Sequence, residues 1–233
     1  MHKVSEAIRE ELKRKGTSEG VEKARRYFRE PIATYGCSVP EITSTTNTFA
    51  PLLKKDLDET LLVAKDLIED GVMDEQFAAS ILLSKVSRRL SVEHFEILDV
   101  WINYLTNWAS VDGFTTNVVA DTIRRFPSLS DRLLVWADSP NRWRRRASAV
   151  SLVTIARRGE MLEVAFRIAD KLMEDKEDMV QKGVGWLLKE ASKKHPHEVR
   201  EHLLKWRNKT SALTLRYASE KLPKEMRVLK SSP

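Results

Sequence analysis

The stretch Val180-Gln181-Lys182-Gly183-Val184-Gly185-Trp186-Leu187-Leu188-Lys189-Glu190-Ala191 repeats its apolar positions at intervals of three and four: Val180, Val184, Leu187 and Ala191 fall on one side of a helix. A strand would alternate every second residue, and this segment does not. Trp186 lies off the centre of the stripe. Gly183 and Gly185 each weaken a helix by roughly 1 kcal/mol relative to alanine, so a neighbouring helix or a ligand must approach the backbone closely there.

The same period extends outward in both directions. Helical stretches come in pairs, roughly 57–70 with 74–88, 91–106 with 109–126, 128–138 with 141–158, 160–174 with 176–194, and 197–207 with 210–221. Joints fall at Gly71, Ser91, Pro127-Ser128, Ser139-Pro140-Asn141, Gly159 and Pro196. Pair starts at 57, 91, 128, 160 and 197 recur about every 32 to 37 residues, the spacing of helical repeats, although no sharp identity links one repeat to the next. Such pairs bury their apolar faces by stacking into a curved solenoid whose inner surface is the usual binding face. Ahead of them, 3–14 and 18–29 read as two short amphipathic helices split by Gly16. Pro31 and Tyr35-Gly36-Cys37-Ser38-Val39-Pro40 then form a loop, with Pro40 placed to open the next helix. The expectation is one all-α, HEAT-like repeat domain over 1–233, with capping helices in 1–55, paired repeats in 56–222, and fraying from Lys230 to Pro233.

Composition agrees. Of 233 residues 42% are hydrophobic, enough for a core, and only eight glycines and eight prolines interrupt the chain, too few for the frequent turns of an all-β fold. Forty basic against 34 acidic side chains give a net charge of +6, and the distribution is uneven. Residues 56–75 carry eight acids (Asp56, Asp58, Glu59, Asp66, Glu69, Asp70, Asp74, Glu75) against Lys65 alone, whereas 189–230 carry twelve bases against five acids. Concentrated positive charge fits a polyanion bound on one side. The single Cys37 excludes an internal disulfide and a cysteine-based zinc site and suits a reducing compartment. With no apolar run of membrane-spanning length and a charged first fifteen residues, the expected setting is the cytoplasm, away from any membrane.

Two further stretches carry candidate chemistry. In Asn107-Trp108-Ala109-Ser110-Val111-Asp112-Gly113-Phe114, helical spacing stacks Trp108 and Asp112 on one side, an aromatic wall beside an anion, which suits a cavity that receives a cation. Asp112 is equally an acid near a helix start, where the helix dipole favours it. In Asn141-Arg142-Trp143-Arg144-Arg145-Arg146-Ala147, Arg146 turns toward Val150 and Val153. It must either pair with a carboxylate of the protein or grip a phosphate through its planar fork. Six tryptophans in a helical repeat protein mostly pack, His94 reads as a packing residue, and His195 with His197 has no third ligand in sequence. No phosphate-cradling glycine loop, Ser/His/Asp signature or metal-ligand spacing is present.

The three stretches, in this order and spacing, resemble the conserved blocks of the AlkD-like DNA alkylation repair glycosylases. Tyr27 and the Tyr35-Gly36-Cys37-Ser38-Val39-Pro40 segment are similar to that family's opening tyrosine and its Gly-x-x-x-Pro turn; the likeness spans roughly 25–222. Where family members often carry arginine or lysine after the turn proline, this chain has Glu41-Ile42-Thr43. The resemblance implies HEAT-like repeats with a concave basic face for duplex DNA, and hydrolysis of the N-glycosidic bond of cationic N3- or N7-alkylated purines. It further implies catalytic residues Trp108, Asp112 and Trp186 lining the cleft at the lesion's sugar, and DNA contacts from Arg146, Arg145, Lys182 and Tyr27. No metal or organic cofactor is called for, and a monomer acting on alkylated double-stranded DNA is expected. The chemistry is coherent: an alkylated purine already bears positive charge and leaves without a general acid, so one carboxylate suffices where ordinary glycoside hydrolysis uses two. Two other readings stay open, a catalytically inert binder of distorted or branched DNA and a protein-interaction scaffold.

Overall fold

A computed structural model describes residues 2–230; Ser231 to Pro233, part of the tail expected to fray, lie outside the described residues. Lys230 is tied down, its Nζ donating to the Thr210 carbonyl at 2.9 Å. The fold is all-α, and among the described residues strand-like pairing is confined to a single parallel bridge between Ala33 and Val72. The chain divides into two compact units, Met1–Thr122 and Ile123–Pro233.

The first unit contains α1 (Lys3–Lys15), α2 (Ser18–Tyr27), α3 (Val39–Leu53), α4 (Leu57–Glu69), α5 (Met73–Val86), α6 (Phe95–Trp101) and α7 (Trp108–Phe114). α7 continues through a π-helical turn at Thr115–Val119 into α8 (Ala120–Arg125). Local sequence explains the starts. Thr17 Oγ1 accepts the Gly20 N–H, Asp56 Oδ1 accepts the Glu59 N–H and Asn107 Oδ1 accepts the Ser110 N–H, each satisfying a donor that the first helical turn leaves open. Pro40 stands in the first turn of α3 as expected. There the Glu41 carboxylate reaches back to the Ser38 N–H and hydroxyl, both at 2.7 Å, so this side chain serves its own helix. α6 is shorter than the expected 91–106 because the His94 ring accepts the Ser91 N–H at 3.0 Å and holds 91–94 as a turn.

α5 is the centre of this unit, packing on α3, α4, α7 and α1. Its N-terminus carries three fully buried polar residues, Asp74, Glu75 and Gln76. Asp74 accepts from Thr34 Oγ1 (2.6 Å), Tyr35 N (3.0 Å) and Cys37 N (2.9 Å), and so staples the loop between α2 and α3 to α5. Glu75 receives the Arg9 guanidinium through two bonds of 3.0 and 2.9 Å and also accepts the Tyr35 hydroxyl. A buried carboxylate is tolerable only with such partners. The hydrogen bond to Glu75 holds the Arg9 guanidinium above its usual range, and burial together with Glu75 pushes the Tyr35 phenol up. Burial, with Asp74 nearby, raises the Cys37 thiol to about 12, which keeps it protonated and unreactive.

The second unit contains α9 (Ser130–Ala137), α10 (Arg142–Val150), α11 (Val153–Ala156), α12 (Leu162–Leu172), α13 (Asp178–Ala191), α14 (Pro196–Trp206) and α15 (Ala212–Ala218). The single helix expected over 141–158 is broken at Ser151, whose hydroxyl bonds back to the Ala147 carbonyl at 2.7 Å. α13 is the hub here, touching α10, α11, α12, α14 and α15. Its apolar stripe of Val180, Val184, Leu187 and Ala191 is fully buried, as the period of the sequence requires.

Asp74→Ala would strand the three donors that now converge on the carboxylate. The expected loss is on the order of 3 kcal/mol, read as a lower midpoint of urea unfolding; an unchanged midpoint would remove Asp74 from its role as the staple of this unit.

Candidate nucleic-acid interface

In the first unit the candidate residues gather on α7. Burial along it separates two sides. Ala109, Ser110, Val111, Phe114, Thr115 and Val118 are buried, whereas Trp108, Asp112, Gly113 and Thr116 are half-buried and Asn117 is exposed. Trp108 and Asp112 therefore do lie together on the outward side, as spacing alone indicates. The alternative in which Asp112 caps its helix falls away: Asn107 is the cap, and Asp112 stands in the second turn.

The Trp108 indole is packed from one side by the end of α2. The Phe28 ring is stacked against it, 5.4 Å between centroids with 23° between planes, and Tyr27 meets it edge-on at 5.7 Å. Tyr27 and Phe28 themselves form a T-shaped pair at 5.5 Å. Tyr27 is 69% exposed, so its outer edge and hydroxyl face solvent beside the indole. Sequence reasoning selected Tyr27 and missed Phe28; two adjacent aromatics at a helix end, only one of which can be buried, were the available signal. The two rings reach Trp108 because the loop that follows them is pinned by Asp74, and because Gly36, with φ +82°, lies against α2. A Cβ on Gly20 would fall 1.9 Å from the Gly36 carbonyl oxygen, so neither glycine admits a side chain.

Beyond Asp112 the helix widens into the π turn. Three consecutive side chains bond to carbonyls one turn earlier: Thr115 Oγ1 to Val111, Thr116 Oγ1 to Asp112, and Asn117 Nδ2 to Gly113, at 2.7, 2.7 and 2.8 Å. π turns of this kind concentrate at functional sites.

In the second unit the candidates lie on α10 and α13. Met179, Lys182, Trp186 and Lys189 are half-buried along one side of α13, with Lys193 exposed beyond them, so Lys182 and Trp186 share the outward side of this helix. Lys182 makes no hydrogen bond or ion pair among the described residues. The arginines of α10 fasten the start of α13. Arg142 pairs with Glu177 at 3.1 Å while its guanidinium lies over the Trp143 ring at 4.7 Å. Arg145 chelates Asp175 at 2.6 and 3.3 Å and also donates to the Ser139 and Pro140 carbonyls. Arg146, 5% exposed, donates to the Met179 carbonyl. The inward guanidinium thus binds a backbone oxygen in the first turn of α13.

The two mid-helix glycines of α13 are explained by neighbouring helices. A Cβ on Gly183 would sit 3.3 Å from Arg146 Cγ, and one on Gly185 only 2.4 Å from Tyr217 Cβ of α15. Trp186 is consequently fixed by close helix contacts on both sides. The six tryptophans also divide cleanly. Trp101, Trp136 and Trp143 are buried, whereas Trp108, Trp186 and Trp206 are half-buried. Trp206 Nε1 is bonded to Asp170 at 2.7 Å; the indole N–H groups of Trp108 and Trp186 have no partner among the described residues.

The basic run 189–230 is partly neutralised within itself, Lys189 and Lys221 pairing with Glu220, Lys193 with Glu190, and Arg200 with Glu201. Among the described residues no three His, Cys, Asp or Glu side chains gather to hold a metal ion, and no helix is long and apolar enough to cross a membrane.

Gly185→Ala is expected to force α13 and α15 apart and lower stability by about 1–3 kcal/mol, measured by thermal unfolding. A variant as stable as wild type would mean that Tyr217 yields freely and that Trp186 is not fixed from this side.

Comparison with known proteins covers most of the chain. A profile described as DNA alkylation repair enzyme matches residues 8–222. Among solved structures, a predicted DNA alkylation repair enzyme from Enterococcus faecalis is 18% identical, with a TM-score of 0.80 over 90% of this chain and 98% of its own. AlkD2 from Streptococcus mutans is also 18% identical, with a TM-score of 0.61 over 92% of this chain and 99% of its own. The smu.31 protein of Streptococcus mutans UA159 gives 18% and 0.60 over 91% and 100%. No curated protein matches the chain.

Proposed function

The chain belongs to the family of DNA alkylation repair enzymes, and on that premise we propose that it is a DNA glycosylase that hydrolyses the N-glycosidic bond of cationic N3- or N7-alkylated purines in duplex DNA. The observation that carries this reading is the Trp108–Asp112 pair: an indole and a carboxylate side by side on the outward side of α7, the ring held by Phe28 and Tyr27, with the helix capped by a different residue.

The mechanism follows from charge. Alkylation leaves the purine positive, so when the C1′–N bond breaks its electron pair neutralises the departing base. No proton need be donated to the leaving group. The sugar becomes an oxocarbenium ion, and a π face together with an anion is the arrangement that favours a cation. Trp108 supplies the π face and Asp112 the charge. Asp112 also orients the water whose oxygen bonds to C1′ and accepts the proton that this water sheds. Trp186 is assigned a second π face on the strength of its motif. Lys182, uncompensated on the outward side of α13, suits a phosphate contact. Arg146 and Arg145 support phosphate binding by fixing the start of α13, and Tyr27 offers its exposed hydroxyl to the DNA backbone beside Trp108. Glycosylases generally extrude the base into a pocket; here the chemistry is placed on the sugar, and a stacked lesion suffices.

Two measurements test the reading. Wild-type protein is expected to release 7-methylguanine from methylated duplex DNA, and Asp112→Asn to lower that rate by at least about a hundredfold, the scale of one lost electrostatic contact to a transition state, while duplex affinity survives. Should wild type bind duplex but release no methylated base, the protein is an inert binder. Duplex affinity is expected to fall steeply between 50 and 200 mM salt, with the linear log–log dependence of phosphate neutralisation; a flat response would remove DNA as the partner.

A further inference from the structure

Glycine inside a helix weakens it, and a protein retains one where the backbone must adopt a positive φ or where something approaches too closely for a side chain. Seven of the eight glycines meet one of these conditions within the protein itself. Gly36, Gly71 and Gly159 have φ of +82°, +75° and +84°; Gly16, Gly20, Gly183 and Gly185 would each place a Cβ between 1.9 and 3.3 Å from another part of the chain. Gly113 meets neither. Its φ is not positive, and an added Cβ would have a single neighbour, Phe77 Cε1 at 3.9 Å, an ordinary van der Waals separation. It is half-buried on the outward side of α7, between Asp112 and the exposed Asn117, with only Phe114 between it and the π turn.

We propose that Gly113 is a substrate contact: the sugar–phosphate backbone of the lesion strand is seated against the bare main chain at Gly113, and a side chain there would hold C1′ away from Asp112. The inference rests on the glycosylase reading and deepens it by naming where the strand touches α7. The Asn117 amide, bonded to the Gly113 carbonyl at 2.8 Å, and the Thr116 hydroxyl, bonded to that of Asp112, keep this turn of main chain in place. A displacement of the reacting carbon by about 1 Å suffices to slow a positioned reaction by roughly a hundredfold.

The competing explanation is that Gly113 eases the helix into its π turn, and the two make opposite predictions for Gly113→Ala. As a substrate contact, Gly113 can be replaced without harm to the fold, so the variant should melt about 2 °C higher than wild type, release 7-methylguanine about 10- to 100-fold more slowly, and bind methylated duplex more weakly. A lower melting temperature would assign the glycine to the π turn and overturn the proposal. So would a variant with wild-type release and duplex affinity, and that result would leave the glycosylase reading intact. If wild type releases no base, the reading fails, and duplex affinity decides the inference: weaker binding by Gly113→Ala upholds the contact, equal binding overturns it.

Discussion

The carboxylate of Asp74 is the fixed point of the first unit. Buried at the start of α5, it accepts three hydrogen bonds from residues 34–37, and so decides where the loop between α2 and α3 runs. The course of that loop places Gly36 against Gly20 and sets the end of α2, which in turn brings Phe28 and Tyr27 onto the Trp108 ring. A chain of short-range constraints thus leads from one buried acid to the orientation of an indole more than thirty positions away in sequence. Removing a buried carboxylate's partners, or the carboxylate itself, leaves uncompensated polar groups, which is why such a point is rigid.

The second unit solves the same problem with the charges reversed. Here arginines of α10 do the fastening: Arg145 on Asp175, Arg142 on Glu177 and Arg146 on the Met179 carbonyl hold the first turn of α13. Gly183 and Gly185 let α10 and α15 close on that helix, and Trp186 is presented from a backbone with little freedom. In each unit a half-buried indole is carried on a helix whose start is fixed, by the Asn107 cap on α7 and by the ionic contacts of Arg142 and Arg145 ahead of α13. Rigid presentation of this kind is what a transition-state contact requires, because a group that must reorganise during the reaction loses much of its electrostatic benefit.

The helical class and the adjacency of Trp108 and Asp112 on one side of α7 were legible in sequence because both depend on periodicity alone. What periodicity cannot report is which polar groups are buried. Asp74 and Glu75 stood at the end of an acidic run, yet both are inaccessible and organise α5. The inward orientation of Arg146 was visible, but an acceptor such as the Met179 carbonyl, 33 residues on, is a tertiary fact. The π turn left a trace in Thr115-Thr116-Asn117, three residues able to bond back to the helix, although such residues sit in ordinary helices as well. The break after Val150 and the late start of α6 likewise coincide with single side-chain bonds, at Ser151 and His94, which an apolar pattern passes over.

In the proposed reaction one carboxylate acts beside an indole, and the positive charge of the lesion takes the place of a general acid. The pH dependence of 7-methylguanine release under single-turnover conditions tests this most directly. A rate that rises through the acid range as a carboxyl ionises and then stays level to about neutral pH, while the lesion remains cationic, is the predicted result, since no protonated group of the protein is needed to expel the base. A rate that falls with rising pH across that same range would reveal an essential acid and contradict a single carboxylate at work.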